Sequence, residues 1–311
     1  MAQLTNTVST YSVANLRRED LEDIIYTASP TDTPFMSMIG REKAKDITHS
    51  WTTDSLRAAA ANANIDGDET SFAAYTAPAR LSNTCQIFKE AFVVSGTARA
   101  VNTVGGMDEL VRLSLKSQKQ VLQDTELALV GNQAPVAGNN STARVLRPMC
   151  GWFSTNTSRG SGGANGTISA AATDGSLRAF AETQIQTVME SIANNANEMP
   201  SIMMVHTSKR KNVSAFVGNG TRFNEVDDGK LKTTVSVYQT DFTDLAVTSN
   251  RLMRTRDVAI LNPSSWKWAS LRDMGTEPLA KTGDADKFQV VHEGTLVCNN
   301  EAYNGIIADL S

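Results

Sequence analysis

Histidine is the side chain most often used for acid–base catalysis and metal binding, and this chain has three: His49, His206 and His292. None of them lies within metal-site spacing of another histidine or of a cysteine. We therefore predict that each is a structural or surface histidine. No catalytic residue, metal ligand or cofactor is predicted from this set.

A serine nucleophile is the enzymatic chemistry that the motifs suggest most directly. Residues 281–283 (Lys-Thr-Gly) resemble the third motif of serine β-lactamases, and residues 208–211 (Ser-Lys-Arg-Lys) supply a Ser-x-x-Lys upstream. The Ser-x-Asn element that belongs between them is missing, and their separation is too short for the usual domain. The sequence also contains no Gly-x-Ser-x-Gly elbow. A serine hydrolase is therefore the third interpretation, after the two structural ones given below.

Two further stretches could bind ligands, but their patterns favour surface loops. Asp66, Asp68 and Glu69 could hold a hard cation, yet the calcium-loop spacing does not continue to a glutamate at its twelfth position. Residues 159–166 are glycine-rich, but the dinucleotide pattern fails at Asn165 and no Gly-Lys-Ser/Thr follows. We predict a solvated acidic turn at the first stretch and a mobile surface loop at the second.

Cysteine content and net charge exclude several classes of protein. Cys85, Cys150 and Cys298 are far apart and odd in number, which argues against a disulfide framework or a zinc site and predicts buried free thiols. With 29 basic and 33 acidic side chains the formal net charge is −4, so no global electrostatic drive toward phosphate exists. Sequence-specific DNA binding is therefore not predicted.

Length and hydropathy predict a folded chain without a membrane segment. Its 311 residues, 41% of them hydrophobic, allow one large or two ordinary domains with a sizeable core. No apolar run approaches the roughly 20 residues that a membrane helix needs, and the N-terminus lacks the regions of a secretory signal. We expect synthesis in the cytosol and no membrane partner.

The first hundred residues carry a charged amphipathic segment and a long weakly hydrophobic loop, without a convincing core of their own. Leu21, Ile24 and Ile25 lie on one stripe of a short predicted helix, which a Ser-Pro pair should end. A short apolar segment that contains a proline follows at residues 33–40. The helix either packs on its own domain or finds its packing surface elsewhere.

The loop that follows favours the second of these alternatives. Residues 54–89 are rich in Ala, Asn, Thr and Ser, with Asp66-Gly67 at a natural turn. A two-stranded hairpin around this turn agrees with its chemistry. Because an isolated hairpin is only marginally stable in water, a projection of roughly 35 residues should rest on a neighbouring surface or stay mobile. Both outcomes indicate an interaction element.

The rest of the chain is predicted to be mixed α and β, with one helix of unusual length. That helix spans residues 107–130, which is about 24 residues or roughly 36 Å, about twice the usual length. The four tryptophans, Trp51, Trp152, Trp266 and Trp268, are interpreted as core or interface anchors. The other predicted elements are a strand at 91–97, helices at 176–195 and 208–216, strands at 202–205, 231–238, 245–249, 258–261, 288–291 and 295–298, and a closing segment at 305–310.

This order of elements resembles the major capsid (major head) proteins of tailed double-stranded DNA bacteriophages, which have the Hong Kong 97-type fold. The strings that carry the resemblance are residues 18–26 (REDLEDIIY), 29–40 (SPTDTPFMSMIG) and 49–56 (HSWTTDSL), with shorter ones at 237–242, 250–251 and 279–284. They span nearly the whole chain. The resemblance implies an α+β fold with an N-terminal arm, an extended β-hairpin loop, a long spine helix, and peripheral and axial domains.

The resemblance also implies a division of the chain and a set of contacts with neighbouring subunits. The expected parts are an arm at 1–45, an extended loop at 46–91, a peripheral domain at 92–150 with its spine helix at 107–130, an axial domain at 151–262, and a return to the peripheral sheet at 263–311. The candidate contact residues are Arg17, Arg18, Leu21, Ile24, Ile25, Pro34, Phe35, Arg57, Asp66, Asp68, Glu69, Phe72 and Tyr75.

The implied function is structural: the subunit assembles with its copies, as pentamers and hexamers, into the icosahedral head shell around the packaged DNA. Assembly would occur in the host bacterial cytoplasm, with a portal, a separately encoded scaffolding protein and, as a further candidate, a decoration protein. Packaged DNA would lie close to the inner wall of the shell without specific binding, because the net negative charge of the subunit disfavours contacts with phosphate. The alternative is another virion protein, a tail or decoration subunit, although tail-tube proteins are usually strand-dominated and lack a long spine helix.

Overall fold

Two β-sheets with helices packed on them form the body of the protein. The computed structural model describes residues 32–67, 69, 72, 74–101, 108–216 and 237–311. We call the four-stranded sheet the first sheet and the six-stranded one the second sheet. The predicted α+β class is confirmed by this mixture of elements.

The first sheet consists of β1 (Gly40–Lys43), β10 (Trp266–Pro278), β11 (Ala285–Cys298) and β4 (Gln86–Ser95), adjacent in that order. β1 runs parallel to β10, and the other two pairings are antiparallel. One face of the sheet is covered by α3 (Glu109–Val130), which contacts β4 and β11. Val121 and Leu129 of this helix share a buried core with Phe88 and Val290 of the sheet.

The second sheet is mixed, and two helices pack against it. Its strands, in order, are β5 (Thr157–Ser158), β12 (Gly305–Ile307), β9 (Val258–Leu261), β6 (Ile202–Val205), β8 (Asp244–Ser249) and β7 (Val237–Gln239). The helices are α5 (Glu182–Asn195) and α6 (Thr207–Ala215). α5 buries Ile185, Val188, Met189 and Ile192, whose i, i+3, i+4, i+7 spacing puts them on one face toward the sheet.

A two-stranded hairpin projects from this body. Its strands are β2 (Thr48–Thr53) and β3 (Ala79–Thr84), paired antiparallel from Thr48 with Thr84 to Thr53 with Ala79. We call residues 48–84 the projection and residues 54–78 its loop. Gly67 at the turn has a φ of +82°, a conformation that glycine adopts without strain. The predicted two-stranded hairpin around Asp66-Gly67 is present, but its strands pair about a dozen residues away from that turn rather than directly beside it.

The long helix was predicted well at its C-terminal end. α3 runs for 22 residues, or about 33 Å at the standard rise, and its N-cap Asp108 accepts a hydrogen bond from the N–H of Leu110. It stops at Gly131, where a Cβ atom would come 2.8 Å from the Leu127 carbonyl oxygen. The predicted start at Met107 lies outside the described residues.

Neutral amide side chains join the two sheets. The side-chain oxygen of Asn304 accepts hydrogen bonds from the indole N–H of Trp266, in β10, and from the N–H of Asn262, which follows β9. The side-chain amide of Asn156 donates to the carbonyl oxygens of Ala302 and Asn304. Asn156 and Asn304 are buried, and this network satisfies polar groups that burial would otherwise make costly.

Some predicted elements shift or merge. Residues 91–97 contribute the end of β4 and the start of the short helix α2 (Gly96–Ala100). The strands expected at 288–291 and 295–298 are one continuous strand, β11. Of the strand expected at 231–238, only its last two residues are described, and they belong to β7. The strands at 202–205, 245–249 and 258–261, the basic helix at 208–216 and the closing segment at 305–310 are confirmed within one to three residues.

The second helix begins six residues later than predicted, because the chain before it is held by the C-terminus. Arg178 forms a parallel bridge with Leu310, donating its N–H to the Asp309 carbonyl and accepting one from Ser311. A residue bonded in this way cannot take part in a helix. The helix therefore starts only at Glu182.

The glycine-rich stretch 159–166 is packed against the body, which contradicts the prediction of a mobile surface loop. The buried carboxylate of Asp309 accepts the N–H groups of Gly160 and Gly175 at 2.9 and 2.8 Å and pairs with Arg256 at 2.7 Å. A Cβ on Gly160 would come 2.1 Å from the Ser176 carbonyl oxygen. Gly160, Gly163 and Gly166 are therefore required for close backbone approach, whereas Gly162 has open space around it and a φ of +82°.

Candidate interaction surface

The three histidines have structural contacts, as the sequence predicts. His292 is buried and accepts a hydrogen bond from the indole N–H of Trp268 at 3.2 Å. Burial, reinforced by nearby Arg41, lowers the pKa of His292 to about 4. His49 lies 2.9 Å from the carboxylate of Glu42, and His206 caps the N-terminus of α6.

The residues suspected of hydrolase chemistry do not converge. Ser208 lies in α6 on the second sheet, whereas Lys281 lies in the turn between β10 and β11 of the first sheet and pairs with Asp286 at 3.0 Å. The three cysteines are free and buried, as predicted. Burial raises the pKa of Cys85 to about 11, and it also raises the pKa values of the other two thiols. Thiols of this kind are poor nucleophiles at neutral pH.

A metal site and a membrane-spanning helix are both absent from the described part of the chain. No group of three His, Cys, Asp or Glu side chains there could hold a metal ion. No helix there is long and apolar enough to span a bilayer. The acidic turn is exposed at Asp66 and Glu69, while Asp68 lies outside the described residues.

Most of the predicted contact residues that can be located lie on the loop of the projection. Phe72 is 93% exposed and Tyr75 85% exposed. Arg57 lies on the same loop, and its guanidinium donates to the neighbouring Ala58 carbonyl. Two further large apolar side chains on this loop, outside the predicted set, are also exposed: Leu56 at 97% and Ile65 at 81%. Residues Arg17, Arg18, Leu21, Ile24 and Ile25 lie outside the described part of the chain.

The prediction that Phe35 contacts a neighbouring subunit is wrong, because Phe35 packs inside its own chain. It is completely buried in the short helix α1 (Pro34–Met38), with its ring edge-on to Trp266 at a centroid distance of 5.9 Å. Neighbouring Pro34 is half-buried. Phe35 has no surface left to offer another subunit.

The buried side chain that holds α1 in place is Glu126 of α3. Its carboxylate accepts the N–H groups of Phe35 and Met36, both at 2.8 Å, and the side-chain amide of Asn250 at 2.6 Å. Burial raises the pKa of Glu126, while the three donors act in the opposite direction. This role of Glu126 was not predicted from the sequence, where the available signal was a charged residue on the apolar face of a long helix.

A second exposed surface lies along β4, the edge strand of the first sheet. Its burial alternates, with Phe88 and Val94 buried beneath α3 and Ile87 and Val93 about half exposed on the outer face. At its Ile87 end a groove of about 390 Å³ lies between Ile47 and residues 137–144. The molecule thus presents an apolar loop and an apolar strand edge as separate surfaces.

Comparison with known sequences gives one family. A family model described as SU10 major capsid protein matches residues 3–311. The major capsid protein of Escherichia phage Phieco32 is 33% identical over 111 residues, which cover 35% of this chain and 32% of that protein. The chain thus spans about a third of the length of that curated relative.

Solved structures match along almost the whole chain. The capsid of a native GTA particle has a TM-score of 0.66 at 10% identity, covering 99% of this chain and 100% of that chain. A chain from Gordonia phage Cozz has a TM-score of 0.64 at 9% identity, covering 99% and 97%. A structure of Phage G gp27 major capsid proteins and gp26 decoration proteins has a TM-score of 0.55 at 11% identity, covering 100% of both chains. Likeness at these identities is one of fold, and it confirms the predicted Hong Kong 97-like fold.

Proposed function

The chain belongs to the SU10 major capsid protein family and is thus a structural subunit of a phage capsid, and we propose that its copies are joined through the projection, residues 48–84. The subunit would form the icosahedral head shell of a tailed phage around packaged DNA. Its role would be mechanical and without enzymatic activity.

The observation that carries this proposal is the exposure of large apolar side chains on the loop. Leu56, Ile65, Phe72 and Tyr75 are each more than 80% exposed, although the same chain buries comparable side chains efficiently elsewhere. Burying one such side chain against a partner contributes about 1.5–3 kcal/mol. In a closed shell the contact repeats at every subunit, so a modest energy per loop accumulates over the particle.

We propose the following contact set from the positions of the predicted residues. The loop would contact a neighbouring copy through Arg57, Asp66, Glu69, Phe72 and Tyr75, supplemented by the newly located Leu56 and Ile65. The arm residues Arg17, Arg18, Leu21, Ile24 and Ile25, together with Asp68, remain proposed contacts on the strength of the family resemblance. Pro34 stays in the set as a half-exposed residue, and Phe35 leaves it.

We propose a division of the chain close to the predicted one. The first sheet and α3 would form the peripheral domain, and the second sheet with α5 and α6 would form the axial domain. Because β12 pairs with β9 in the second sheet, residues 305–311 would belong to the axial rather than the peripheral domain. Residues 1–45 would be the arm and residues 46–91 the extended loop with its supporting strands.

The finer assembly partners are also proposals. The copies would form pentamers and hexamers, assembled in the host cytoplasm with a separate scaffolding protein and a portal. A decoration protein is a further candidate, as one is present in the Phage G structure. The formal net charge of −4 supports DNA that lies near the shell without being bound to it.

The proposal is tested by shortening the projection without disturbing its base. Thr53 and Ala79 are paired, so residues 54–78 can be replaced by Asn-Gly, which closes a two-residue hairpin. The shortened protein should keep the circular dichroism spectrum and melting temperature of the unassembled subunit. It should form no shells in negative-stain electron micrographs when produced with the phage's own assembly proteins.

A matched pair of point variants separates loss of contact from loss of fold. The triple variant Leu56→Ser, Phe72→Ser and Tyr75→Ser should fold and fail to assemble, because these side chains contribute little to the isolated subunit. Leu127→Ser, at a half-exposed site on α3, is the control and should assemble. Normal shells from the shortened protein, or its unfolding, would remove the projection from its proposed role.

A further inference from the structure

In β4, the N–H and C=O groups of every second residue point away from the sheet to which the strand belongs. In an antiparallel ladder, successive residues bond alternately toward the partner strand and away from it. Just past the end of β4, Gly96 donates its N–H to the Asp284 carbonyl of the partner side at 3.2 Å, in register with the ladder. Even-numbered residues of β4 therefore bond β11, and odd-numbered residues point their N–H and C=O groups outward.

The outward groups belong to Ile87, Lys89, Ala91 and Val93. In the described part of the chain, none of them makes a backbone hydrogen bond on this side. Their side chains share the outer face, where Ile87 is 44% and Val93 57% exposed. A free edge of this length that presents apolar side chains is a template for pairing with another strand, and folded proteins usually cover or blunt such edges. Among these four outward residues of β4, Lys89 alone is charged.

A second copy of the chain offers a segment with complementary features. Hairpin pairing stops at Thr53 and Ala79, so residues 74–78 have no strand partner among the residues that the structure describes. Measured from the first to the last Cα, residues 74–78 would span about 14 Å when extended, and residues 87–93 of β4 span about 20 Å. Residue 78 is a proline without an N–H, so residues 74–77 supply the donors. The loop also bears Tyr75, which is 85% exposed. The outer edge of β4 and residues 74–78 thus both have unpaired backbone groups and exposed apolar side chains.

We infer that residues 74–78 of one copy add as a strand to the free edge of β4 in the neighbouring copy. This inference rests on the proposed function, because it names the surface that receives the projection. The two surfaces are different parts of one chain, so the contact is head-to-tail and can close into rings. The groove beside Ile87, at about 390 Å³, has room for an aromatic side chain of the incoming loop.

A proline on the outward side of β4 tests the backbone part of the inference. Ala91→Pro removes an N–H that points outward and leaves the bonds to β11 intact, a position where an edge strand tolerates proline. Ala91→Ser is the matched control because it keeps the N–H. We expect both variants to fold like the parent subunit. Only Ala91→Pro should lose shell formation, and normal shells from it would overturn the inference.

Cysteine pairs test which segment occupies the edge, and they remain informative if the proline variant misfolds. The native cysteines are buried, so they give little background. Lys89→Cys combined with Thr76→Cys should give multi-subunit disulfide-linked species from assembled, oxidised shells on non-reducing gels. Thr76→Cys combined with Lys116→Cys, on the exposed side of α3, is the control pair and should give none.

The outcomes separate this inference from the proposed function. Linked species from Lys89→Cys alone would show two β4 edges pairing with each other and would overturn the choice of occupant. Shells that form without any link from the Lys89–Thr76 pair would mean that the loop docks elsewhere. In both cases the shortened projection would still fail to assemble if the proposed function holds.

Discussion

Replacing Glu126 with alanine should destabilise the subunit strongly, because one carboxylate serves three buried donors. The N–H groups of Phe35 and Met36 and the side-chain amide of Asn250 would all lose their acceptor. Each unsatisfied buried donor costs about 1–3 kcal/mol. Removing a charge whose burial is itself unfavourable offsets part of this cost. We therefore expect the free energy of unfolding to fall by about 2–4 kcal/mol.

Urea unfolding followed by tryptophan fluorescence, at a protein concentration below that of assembly, measures this loss. With a slope of about 2–3 kcal/mol per molar urea, the midpoint should fall by about 1 M. Glu126→Gln keeps one acceptor oxygen and should lose less. A double-mutant cycle with Asn250→Ala should give a coupling energy of about 1.5–3 kcal/mol, the range for hydrogen bonds to charged groups.

An unchanged midpoint for Glu126→Ala would refute the reasoning. It would mean that α1 is not fastened to α3 through this carboxylate. The removal of Phe35 from the set of contact residues would then lose its physical basis.

Two further predictions concern the interior of the first sheet. The pKa of His292 is about 4 in the folded chain and 6.5 ordinarily, so the unfolded chain takes up the proton first as the pH falls. The contribution of neutral His292 to the free energy of unfolding should be full above about pH 6.5 and should be lost toward pH 4, a change of up to about 3 kcal/mol. Urea titrations over this pH range should show the change for the parent protein and not for His292→Gln. Gly294→Ala would place a methyl group 2.5 Å from the Trp268 ring and 2.6 Å from the Ala269 carbonyl oxygen, so the melting temperature should drop by the equivalent of about 1–3 kcal/mol. Gly275→Ala on β10, whose nearest contact would be at 3.9 Å, is the control, and an equal drop in both variants would contradict the packing argument.

The sequence predicted the long helix and the second-sheet strands because their patterns are local and uninterrupted. α3 has helical spacing of apolar residues over several turns and ends at a glycine, and β6 and β9 are short continuous apolar runs. Local patterns of this kind can be recognised without knowing which part of the chain the element packs against. The resemblance to a known fold then ordered these elements correctly.

β10 escaped prediction because its period is broken. The strand begins with alternating Trp266 and Trp268, but register irregularities follow between Ser270 and Arg272 and between Arg272 and Gly275. A bulge shifts side chains to the opposite face, so the alternation that identifies a strand is lost. Trp266 and Trp268, which precede the irregularities, were interpreted as core or interface anchors, and both lie in one core.

The candidate surface was predicted in part, and its gaps also have physical causes. The loop was recognised by composition alone, since few large apolar residues interrupt its small polar ones. Burial of Phe35 depends on a carboxylate 91 residues away, which no local pattern can indicate. The free edge of β4 follows from strand order, and strand order is set by long-range pairing with β11.

The amide contacts between the two sheets have a mechanical consequence. Asparagine side chains neither titrate nor carry net charge, so the joint formed by Asn156, Asn262 and Asn304 should keep its strength across changes of acidity and ionic strength. Trp266 connects this joint to the sheet that carries β4. Load applied at the edge of the first sheet would therefore reach the second sheet through hydrogen bonds of Asn156 and Asn304 that involve no ionisable group.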